Sequence, residues 1–288
     1  MQDLAGKNAV VTGGGSGIGR GIALALAEKG VNVVISDVRG KAAEAVAKEV
    51  SSIGVEARAV QTDVTDSEAV AALAEQAYEA FGAIHILVNS AGVMLLRPLE
   101  QATADDWHWM MAVNFYGIVE CCGAFVPRMK AQGEPAHIVN NASMAALIAQ
   151  PIPGLGLYNA TKHACLGYTE SLKHELAGQG ISVSLLCPGR IDTDLGKNTQ
   201  DFLASKGVEL EPPAGPPPRA AGATPPAARK SMTPEECGEI VVRAIVDDRF
   251  IILTHPSRKH QVEERYRAIL ADIDAEARAQ AQEGGGVN

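Results

Sequence analysis

The segment NAVVTGGGSGIGRGIALALA, residues 8–27, contains three patterns in series. An apolar run at 8–12 predicts a buried strand, a glycine-rich stretch follows, and apolar residues at helical spacing predict a helix over 17–29. Glycines allow a tight turn and let a pyrophosphate approach the backbone, while the helix N-terminus offers free N–H groups. The segment therefore predicts dinucleotide binding, with a phosphate cradle formed by Gly13, Ser16, Gly17, Ile18 and Gly19.

The second strand, predicted at 31–36, is followed directly by Asp37. A carboxylate in this place can accept hydrogen bonds from both hydroxyls of the adenosine ribose, and it would repel the 2′-phosphate of NADP. Arg39 lies two residues further along the chain and could compensate that repulsion in part. On balance the sequence predicts NAD as the cofactor, with NADP as the less favoured alternative.

Strand-like and helical segments continue to alternate along the first two thirds of the chain. Helical stretches of ten or more residues between strands are typical of βαβ units. The alternation predicts an α/β fold, a Rossmann-type doubly wound parallel sheet of about seven strands with helices on both faces. The predicted strands are 8–12, 31–36, 55–64, 83–92, 136–143, 181–189 and 249–254, and the predicted helices are 17–29, 40–53, 66–80, 104–131, 156–177, one from 234 and one in the charged tail.

A proline-rich stretch interrupts this alternation after Pro188. Seven of the fifteen prolines lie between 212 and 226, so this stretch cannot continue a helix or a central strand. Two interpretations remain: a substrate lid over about 190–232, favoured by its position after a strand's carboxyl end, or a disordered insertion. The sequence predicts one catalytic domain over 1–255 and a helical C-terminal extension over 256–288, whose last residues we expect to be disordered.

The composition narrows the possible partners. Of the 288 residues 47% are hydrophobic, and the net charge of -9 argues against binding to nucleic acid or to an anionic membrane. No apolar run approaches the ~20 residues that span a bilayer, and the start has no signal-peptide core, so we expect a cytoplasmic protein. The five cysteines and seven histidines lack metal-binding spacing, so we expect reduced, buried thiols and no metal site.

The stretch GLYNATKHA, residues 156–164, places Tyr158 one helical turn before Lys162. A positive charge close to a phenol favours the phenolate, which is the form that can accept a proton. Taken by itself such a pair is ordinary helix surface. Behind a cofactor loop it becomes a candidate site of proton transfer.

Several motifs occur along the chain in a fixed order. They are TGxxxGxG at 12–19, Asp63 with Val64, NSAG from Asn89 to Gly92, Asn114 in VNFYG, Ser143 in NNAS, the pair Tyr158 and Lys162, and the run with Pro188, Gly189, Ile191 and Thr193. With these motifs the chain resembles the short-chain dehydrogenase/reductase family over about residues 5–255. Ser90 is a mild departure, because the family has Asn there.

The resemblance implies a role for each matching residue. Tyr158 would be the catalytic acid/base, Lys162 would assist it and hold the nicotinamide ribose, and Ser143 would orient the reacting oxygen. Asn114 would support a proton-carrying water, or would merely tie a helix bulge to a neighbouring strand. The cofactor-binding residues are expected to be Gly13, Ser16, Gly17, Ile18, Gly19, Asp37, Asp63, Val64, Asn89, Gly92, Tyr158, Lys162, Pro188, Gly189, Ile191 and Thr193.

The segment 144–157 bears on the substrate, because it is apolar and slightly longer than is usual in this family. Together with Met94, Leu95, Leu195 and the proline-rich stretch as a lid, it predicts a roomy apolar pocket for a bulky, hydrophobic or aromatic secondary alcohol or its ketone. The stretch at 250–270 is similar to that of bacterial Cα-dehydrogenases, which act on benzylic alcohols.

These features predict an NAD-dependent alcohol dehydrogenase or ketone reductase. Two alternatives stay open: an NAD(H)-binding redox sensor without turnover, and a reductase of ketoacyl groups held on a carrier protein. By resemblance we expect a homotetramer or homodimer, joined through the helices at 104–131 and 156–177.

Overall fold

A seven-stranded parallel sheet forms the centre of the fold, in the order β3-β2-β1-β4-β5-β6-β7. The computed structural model describes residues 1–205 and 231–284. The predicted Rossmann-type α/β fold is confirmed, although the strands at 55–64, 83–92, 136–143, 181–189 and 249–254 are all shorter than predicted. The strands are β1 Asn8–Thr12, β2 Asn32–Asp37, β3 Ala57–Gln61, β4 Ile86–Asn89, β5 Ala136–Asn141, β6 Ile181–Cys187 and β7 Ile251–Leu253.

Helices connect the strands and cover the sheet. Short 3-10 turns lie at Leu99–Gln101 and Pro256–Arg258, and a π-helical turn lies at Ala112–Tyr116. The α-helices of the described residues are α1 Gly17–Ala27, α2 Gly40–Ser52, α3 Ser67–Phe81, α4 Ala104–Met111, α5 Gly117–Gln132, α6 Met144–Leu147, α7 Gly156–Glu175, α8 Leu195–Ser205, α9 Pro234–Val246 and α10 Lys259–Gly284.

The order of strands opens a crevice beside β1. Thr12 at the end of β1 pairs with Ser36 of β2 on one side and with Asn89 of β4 on the other. The chain therefore winds outward in opposite directions from this point. In open α/β sheets ligands bind at such a switch point, at the carboxyl ends of the strands.

The central strands are buried on both faces. Val11 belongs to the core cluster that contains Ile22 of α1, while Val10, which points to the other face, is also 0% exposed. Because both faces are covered, β1, β4 and β5 are buried along their whole length. This explains why these strands read as apolar runs rather than as alternating patterns.

The prediction of a single helix at 104–131 is wrong in detail. It consists of α4, the π-helical turn Ala112–Tyr116 and α5. The extra residue of a π turn rotates Asn114 inward, where it is 0% exposed and hydrogen-bonded to the backbone of Val93.

The segment Ala104–Gln132 is long enough and, with a mean hydropathy of 1.4, apolar enough to cross a membrane on length and composition alone. We had expected no apolar run long enough to span a bilayer, and that expectation did not account for this segment. In the fold Phe125 and Met129 are buried, and Phe125 stacks on Tyr78 of α3 at 6.3 Å between ring centroids. Core helices of globular proteins pass the same length and composition test.

The loop predicted over 190–232 begins with a helix, because α8 occupies Leu195–Ser205. The first proline after Pro188 is Pro212, so nothing in 195–205 prevents helix formation. The proline-rich segment, on which the lid and disorder interpretations differ, lies at 206–230, outside the described residues.

By its internal contacts the chain divides into two units, 1–254 and 255–288. The first contains the sheet, and the second contains the turn Pro256–Arg258 and α10. The last four residues, which we expected to be disordered, lie outside the described part of the chain.

Helices α1 and α9 pack so closely that two glycines form the contact. A β-carbon on Gly238 would lie 2.2 Å from the carbonyl oxygen of Gly21, and one on Gly21 would lie 2.1 Å from that of Pro234. Gly238→Ala should therefore lower the free energy of unfolding by roughly 1–3 kcal/mol, the usual cost of overpacking, and thermal denaturation should show a lower Tm. The neighbouring substitution Glu239→Ala, at an exposed position, is the control; equal Tm values for the two variants would contradict this packing.

Candidate active site

A cavity of about 510 Å³ opens at the carboxyl ends of the central strands. Its lining comes from the loops after β1 to β6, from the π-helical turn Ala112–Tyr116, and from α7 and α8. The predicted site residues that line it are Gly13, Ser16, Gly17, Ile18, Gly19, Asp37, Asp63, Val64, Gly92, Ser143, Tyr158, Lys162, Pro188, Gly189, Ile191 and Thr193.

The glycine loop forms one end of the cavity. Gly13 and Gly17 have φ angles of +62° and +51°, which favour glycine. A β-carbon on Gly13 would lie 2.7 Å from the backbone of Ala91. Ser16 is the N-cap residue of α1, but its side chain makes no capping hydrogen bond. The first amides of α1 therefore face the cavity without a capping side chain, an arrangement that suits a pyrophosphate.

Asp37 is held at the edge of this loop. Its Oδ2 accepts a hydrogen bond from the Gly15 amide at 3.1 Å, and its side chain is 6% exposed. A β-carbon on Gly15 would lie 2.8 Å from the same oxygen, so a larger residue there would displace the carboxylate. The carboxylate is thus fixed where the ribose of an adenosine would meet the end of β2.

The Arg39 guanidinium joins Asp37 to two further side chains. Its Nε lies 3.2 Å from Asp37 Oδ1, its Nη2 donates to Ser16 Oγ at 2.8 Å, and its Nη1 donates to Asn198 Oδ1 at 3.1 Å. Asn198 belongs to α8, so the arginine connects the glycine loop with the helix that follows β6. Its charge is balanced by Asp37 in this arrangement.

Asn89, expected to contact the cofactor, does not line the cavity. It is 2% exposed, and its amide donates to Asn140 Oδ1 at 2.8 Å and contacts Cys122 Sγ at 3.5 Å. Asn89 and Asn140 are register partners on β4 and β5, so the amide pair lies within the sheet. In this placement Asn89 supports the carboxyl edge of the sheet and does not reach the cavity.

Tyr158 and Lys162 lie one turn apart on α7, as their spacing predicts. Lys162 Nζ donates to the Asn141 carbonyl oxygen at 2.9 Å and lies 5.5 Å from the centroid of the Tyr158 ring. Lys162 is 4% exposed, whereas Tyr158 is half-buried at the cavity wall. The end of β5 thus fixes the ammonium beneath the phenol.

Ser143 lies in the same part of the cavity, between β5 and α6. Its Oγ accepts from the Ala145 amide at 3.1 Å, while the Met144 amide donates to the Pro188 carbonyl. No acceptor for the Ser143 hydroxyl proton occurs among the described residues. That proton is therefore available to a substrate oxygen.

Asn114 stands behind the cavity rather than in its wall. Its Oδ1 accepts from the Val93 amide at 2.8 Å, and its Nδ2 donates to the Val93 carbonyl at 3.0 Å and to Thr161 Oγ1 at 3.2 Å. These bonds tie the π-helical turn to the chain leaving β4 and to α7, which is one of the two roles that the sequence allowed. Support of a proton-carrying water stays a prediction.

The other half of the cavity is largely apolar. Leu95, predicted to line it, instead packs with Met110 and Leu157 in a separate cluster. The apolar residues that line the cavity are Val93, Met94, Leu96, Ile152, Leu155, Leu195 and Phe202.

Helix α8 contributes site residues that the sequence prediction missed. Thr199 Oγ1 accepts from the Met94 amide at 3.1 Å, and Phe202 stacks on Trp109 at 6.4 Å between ring centroids. The spacing of Leu195, Thr199 and Phe202 is that of one helix face, which is the signal that could have located them.

The thiols and histidines do not add a second reactive centre to this site. All five cysteines are free and buried, as expected, and burial raises the pKa of Cys122 and Cys187 to about 12. Burial also lowers the pKa of His137, a residue of β5, to about 4. Within the described residues no group of three or more His, Cys, Asp or Glu side chains could hold a metal ion.

The family model of short chain dehydrogenases matches residues 7–204. The chain belongs to this family. The resemblance drawn from the sequence motifs is thereby confirmed. Short chain dehydrogenases are oxidoreductases that bind nicotinamide cofactors, and the glycine cradle and Asp37 fit the dinucleotide part of such a cofactor.

Curated short chain dehydrogenases cover nearly the whole chain. A 1-deoxy-11-beta-hydroxypentalenate dehydrogenase from Streptomyces exfoliatus is 34% identical over 262 residues, which cover 90% of this chain and 87% of the relative. A C alpha-dehydrogenase from Sphingobium sp. strain SYK-6 is 30% identical over 278 residues, which cover 95% of this chain and 88% of the relative.

Solved short chain dehydrogenases share the fold. A Burkholderia phymatum enzyme in complex with NAD has a TM-score of 0.80 at 34% identity, covering 94% of this chain and 97% of that one. A Burkholderia cenocepacia short chain dehydrogenase in complex with NADP has a TM-score of 0.71 at 29% identity. The match covers 87% of this chain and 96% of that one. The similar structures thus include both cofactors.

Proposed function

We propose that this chain is an NAD-dependent dehydrogenase that interconverts a bulky hydrophobic or aromatic secondary alcohol and its ketone, with Tyr158 as acid/base. The observation that carries the proposal is a single cavity with two different ends. One end has the glycine loop and Asp37, and the other has Ser143, Tyr158 and Lys162 beside apolar walls.

The chemistry divides between the cofactor and the chain. A nicotinamide dinucleotide, when bound, supplies the hydride acceptor for alcohol oxidation or the hydride donor for ketone reduction. Tyr158 takes the alcohol proton in oxidation and returns it in reduction. The Lys162 ammonium stabilises the negative charge that forms on the Tyr158 oxygen, and the Ser143 hydroxyl donates to the reacting oxygen and orients it.

The preference for NAD rests on the charges at the end of β2. A 2′-phosphate would come close to the Asp37 carboxylate, which is buried and already bonded to the Gly15 amide. Arg39, the nearest cation, is paired with Asp37 and bonded to Ser16 and Asn198. To neutralise the phosphate it would have to leave these partners.

The cofactor preference can be tested by Asp37→Ser. The native enzyme should show a kcat/KM for NAD that exceeds that for NADP by about 100-fold, since one close like-charge contact amounts to a few kcal/mol. In the variant, kcat/KM for NAD should fall by about tenfold or more. The ratio of kcat/KM for NAD to that for NADP should also fall, because Arg39 becomes available to the 2′-phosphate of NADP. Glu44→Ser, at an exposed position on α2, is the control. Equal kcat/KM values for the two cofactors in the native enzyme would contradict the preference.

The substrate class follows from the apolar half of the cavity. One relative is named as a 1-deoxy-11-beta-hydroxypentalenate dehydrogenase, which agrees with a substrate larger than a short-chain alcohol. In a panel followed by NADH absorbance, 1-phenyl-1-propanol should have a kcat/KM about tenfold or more above that of 2-butanol, because its ring buries more apolar surface. A preference for 2-butanol would contradict an apolar substrate pocket.

For the assembly we propose a homodimer or homotetramer joined through α5 and α7, and for the location the cytoplasm. Tyr116, the last residue of the π-helical turn before α5, is 54% exposed, which suits a subunit contact at this position.

A further inference from the structure

Helix α10 carries a stripe of exposed apolar side chains. Tyr266 is 55% exposed, Ile269 44%, Leu270 58% and Ile273 57%. Single exposed apolar residues are ordinary, but a contiguous stripe on one helix face marks an interaction surface. We call residues 262–273 on this face the α10 stripe.

The spacing within the stripe is that of a coiled-coil seam. Val262, Tyr266, Ile269 and Ile273 follow one another at intervals of four, three and four residues. This is the alternation of a and d positions over two heptads, which packs against one partner helix rather than into a broad core.

The charges of α10 are distributed unequally along its length. Residues 259–267 contain three basic and two acidic side chains, a net charge of +1 (3 - 2). Residues 268–281 contain one basic and three acidic side chains, a net charge of -2 (1 - 3). A second α10 that runs antiparallel would set the basic half of each helix against the acidic half of the other, and it would also align the two helix dipoles favourably.

One antiparallel register fills every layer of the seam. With Val262 opposite Ile273 of the second copy, Tyr266 meets Ile269 of the second copy. In the same register Lys259, which lies three residues before Val262 and so occupies the next position of the seam, faces Glu276 of the second copy. A parallel pair would instead set Lys259 against Lys259 and Glu276 against Glu276, so like charges would meet at both ends.

We propose that α10 is an antiparallel pairing helix that joins two copies of this chain through residues 259–276. Two heptads give a short seam, so the inference rests on the assembly proposed above: the contacts through α5 and α7 would hold the second α10 at a high effective concentration. The pairing is independent of the proposed alcohol oxidation, because it uses no residue of the cavity.

The test is disulfide formation between Val262→Cys and Ile273→Cys, placed in two differently tagged full-length chains that are co-expressed. Antiparallel pairing sets these positions side by side, within the ~4.4–6.8 Å between Cα atoms that a disulfide needs. Two copies of position 262 would then be about 16 Å apart along the axis, which is eleven residues at ~1.5 Å each. We expect a crosslinked dimer from the mixture and none from either variant alone. The five native cysteines are buried, and the native chain is the blank.

A charge exchange adds a second, independent readout. Lys259→Glu should lower the crosslinking yield about threefold, in line with the modest strength of exposed ion pairs, and Lys259→Glu combined with Glu276→Lys should restore it. Ala271→Glu, on the opposite face of α10, should leave the yield unchanged. Crosslinking of Val262→Cys with itself would show a parallel pair, and no crosslink in any combination would show that no second copy covers the stripe. Either result would overturn the proposal, while the NADH assay would be unaffected.

Discussion

Tyr158→Phe should lower the turnover of a secondary alcohol by a factor of about 10³, within the range attributed to a positioned acid/base. The phenyl ring keeps the apolar contacts of the tyrosine but can neither accept nor return a proton. Binding of NADH should change by less than about twofold, because the Lys162 ammonium stays bonded to the Asn141 carbonyl. Steady-state kinetics and a fluorescence titration with NADH measure the two effects separately.

Tyr168→Phe is the matched control for that substitution. Tyr168 lies on the same helix, and burial, together with the neighbouring Cys122 thiol, raises the pKa of its hydroxyl. It takes no part in the proposed proton transfer, so turnover should stay close to that of the native enzyme. A positioned acid/base usually contributes a factor of about 10² to 10⁴. If Tyr158→Phe kept more than about a tenth of the native turnover, the acid/base role proposed for Tyr158 would therefore be wrong.

Lys162→Met should lower kcat/KM by a factor of about 10² to 10³, through the loss of a buried charge that stabilises the charge on the Tyr158 oxygen. Unlike Tyr158→Phe, it should also raise the Kd for NADH, by about tenfold, because by the family resemblance the Lys162 ammonium is expected to hold the nicotinamide ribose through a hydrogen bond. Methionine fills a similar volume without leaving a buried unpaired charge, so the fold should persist. The same two assays report both changes.

Lys173→Met provides the control for Lys162→Met. Lys173 is on α7 as well, but its ammonium lies over the ring of Phe250 at 4.3 Å, away from the cavity. Its removal should affect neither the Kd for NADH nor kcat/KM. Unchanged NADH binding and turnover in Lys162→Met would show that the ammonium is not part of the site.

The two variants also separate the proposed enzyme from a cofactor-binding sensor. A sensor would bind NADH through the glycine loop and Asp37, and it would show no turnover that Tyr158→Phe could remove. Loss of turnover with retained NADH binding is expected only when Ser143, Tyr158 and Lys162 perform the chemistry.

The fold could be predicted from the sequence because its determinants are local or periodic. The apolar run of β1, the glycines after it and the helical spacing of α1 are all readable in twenty consecutive residues. Strands buried on both faces give unbroken apolar runs, which also indicated a parallel sheet.

The site was predictable in its motifs but less so in the directions of its side chains. Asn89 follows the pattern of the family, yet its amide points into the sheet toward Asn140 because the two residues are register partners. The inward turn of Asn114 depends on a π-helical turn, which helical periodicity alone does not reveal.

Helix α8 was missed for a different reason. Proline density just after it dominated the interpretation of the whole segment from 190 to 232. The helix is held by tertiary contacts, of Asn198 with Arg39, of Thr199 with the Met94 amide and of Phe202 with Trp109, and such contacts between distant segments leave little trace in local sequence.

The most direct measurement of the central claim is deuterium transfer from the carbinol carbon of a secondary alcohol to the nicotinamide ring. With NAD and 1-phenyl-1-propanol deuterated at the carbinol carbon, mass spectrometry of the reduced cofactor should show one deuterium per molecule, together with an equal amount of ketone. The Tyr158→Phe variant should bind NADH and yield almost no labelled cofactor. Reduced cofactor without deuterium, or no transfer from any alcohol of the panel at saturating NAD, would contradict hydride transfer between a secondary alcohol and NAD at this site.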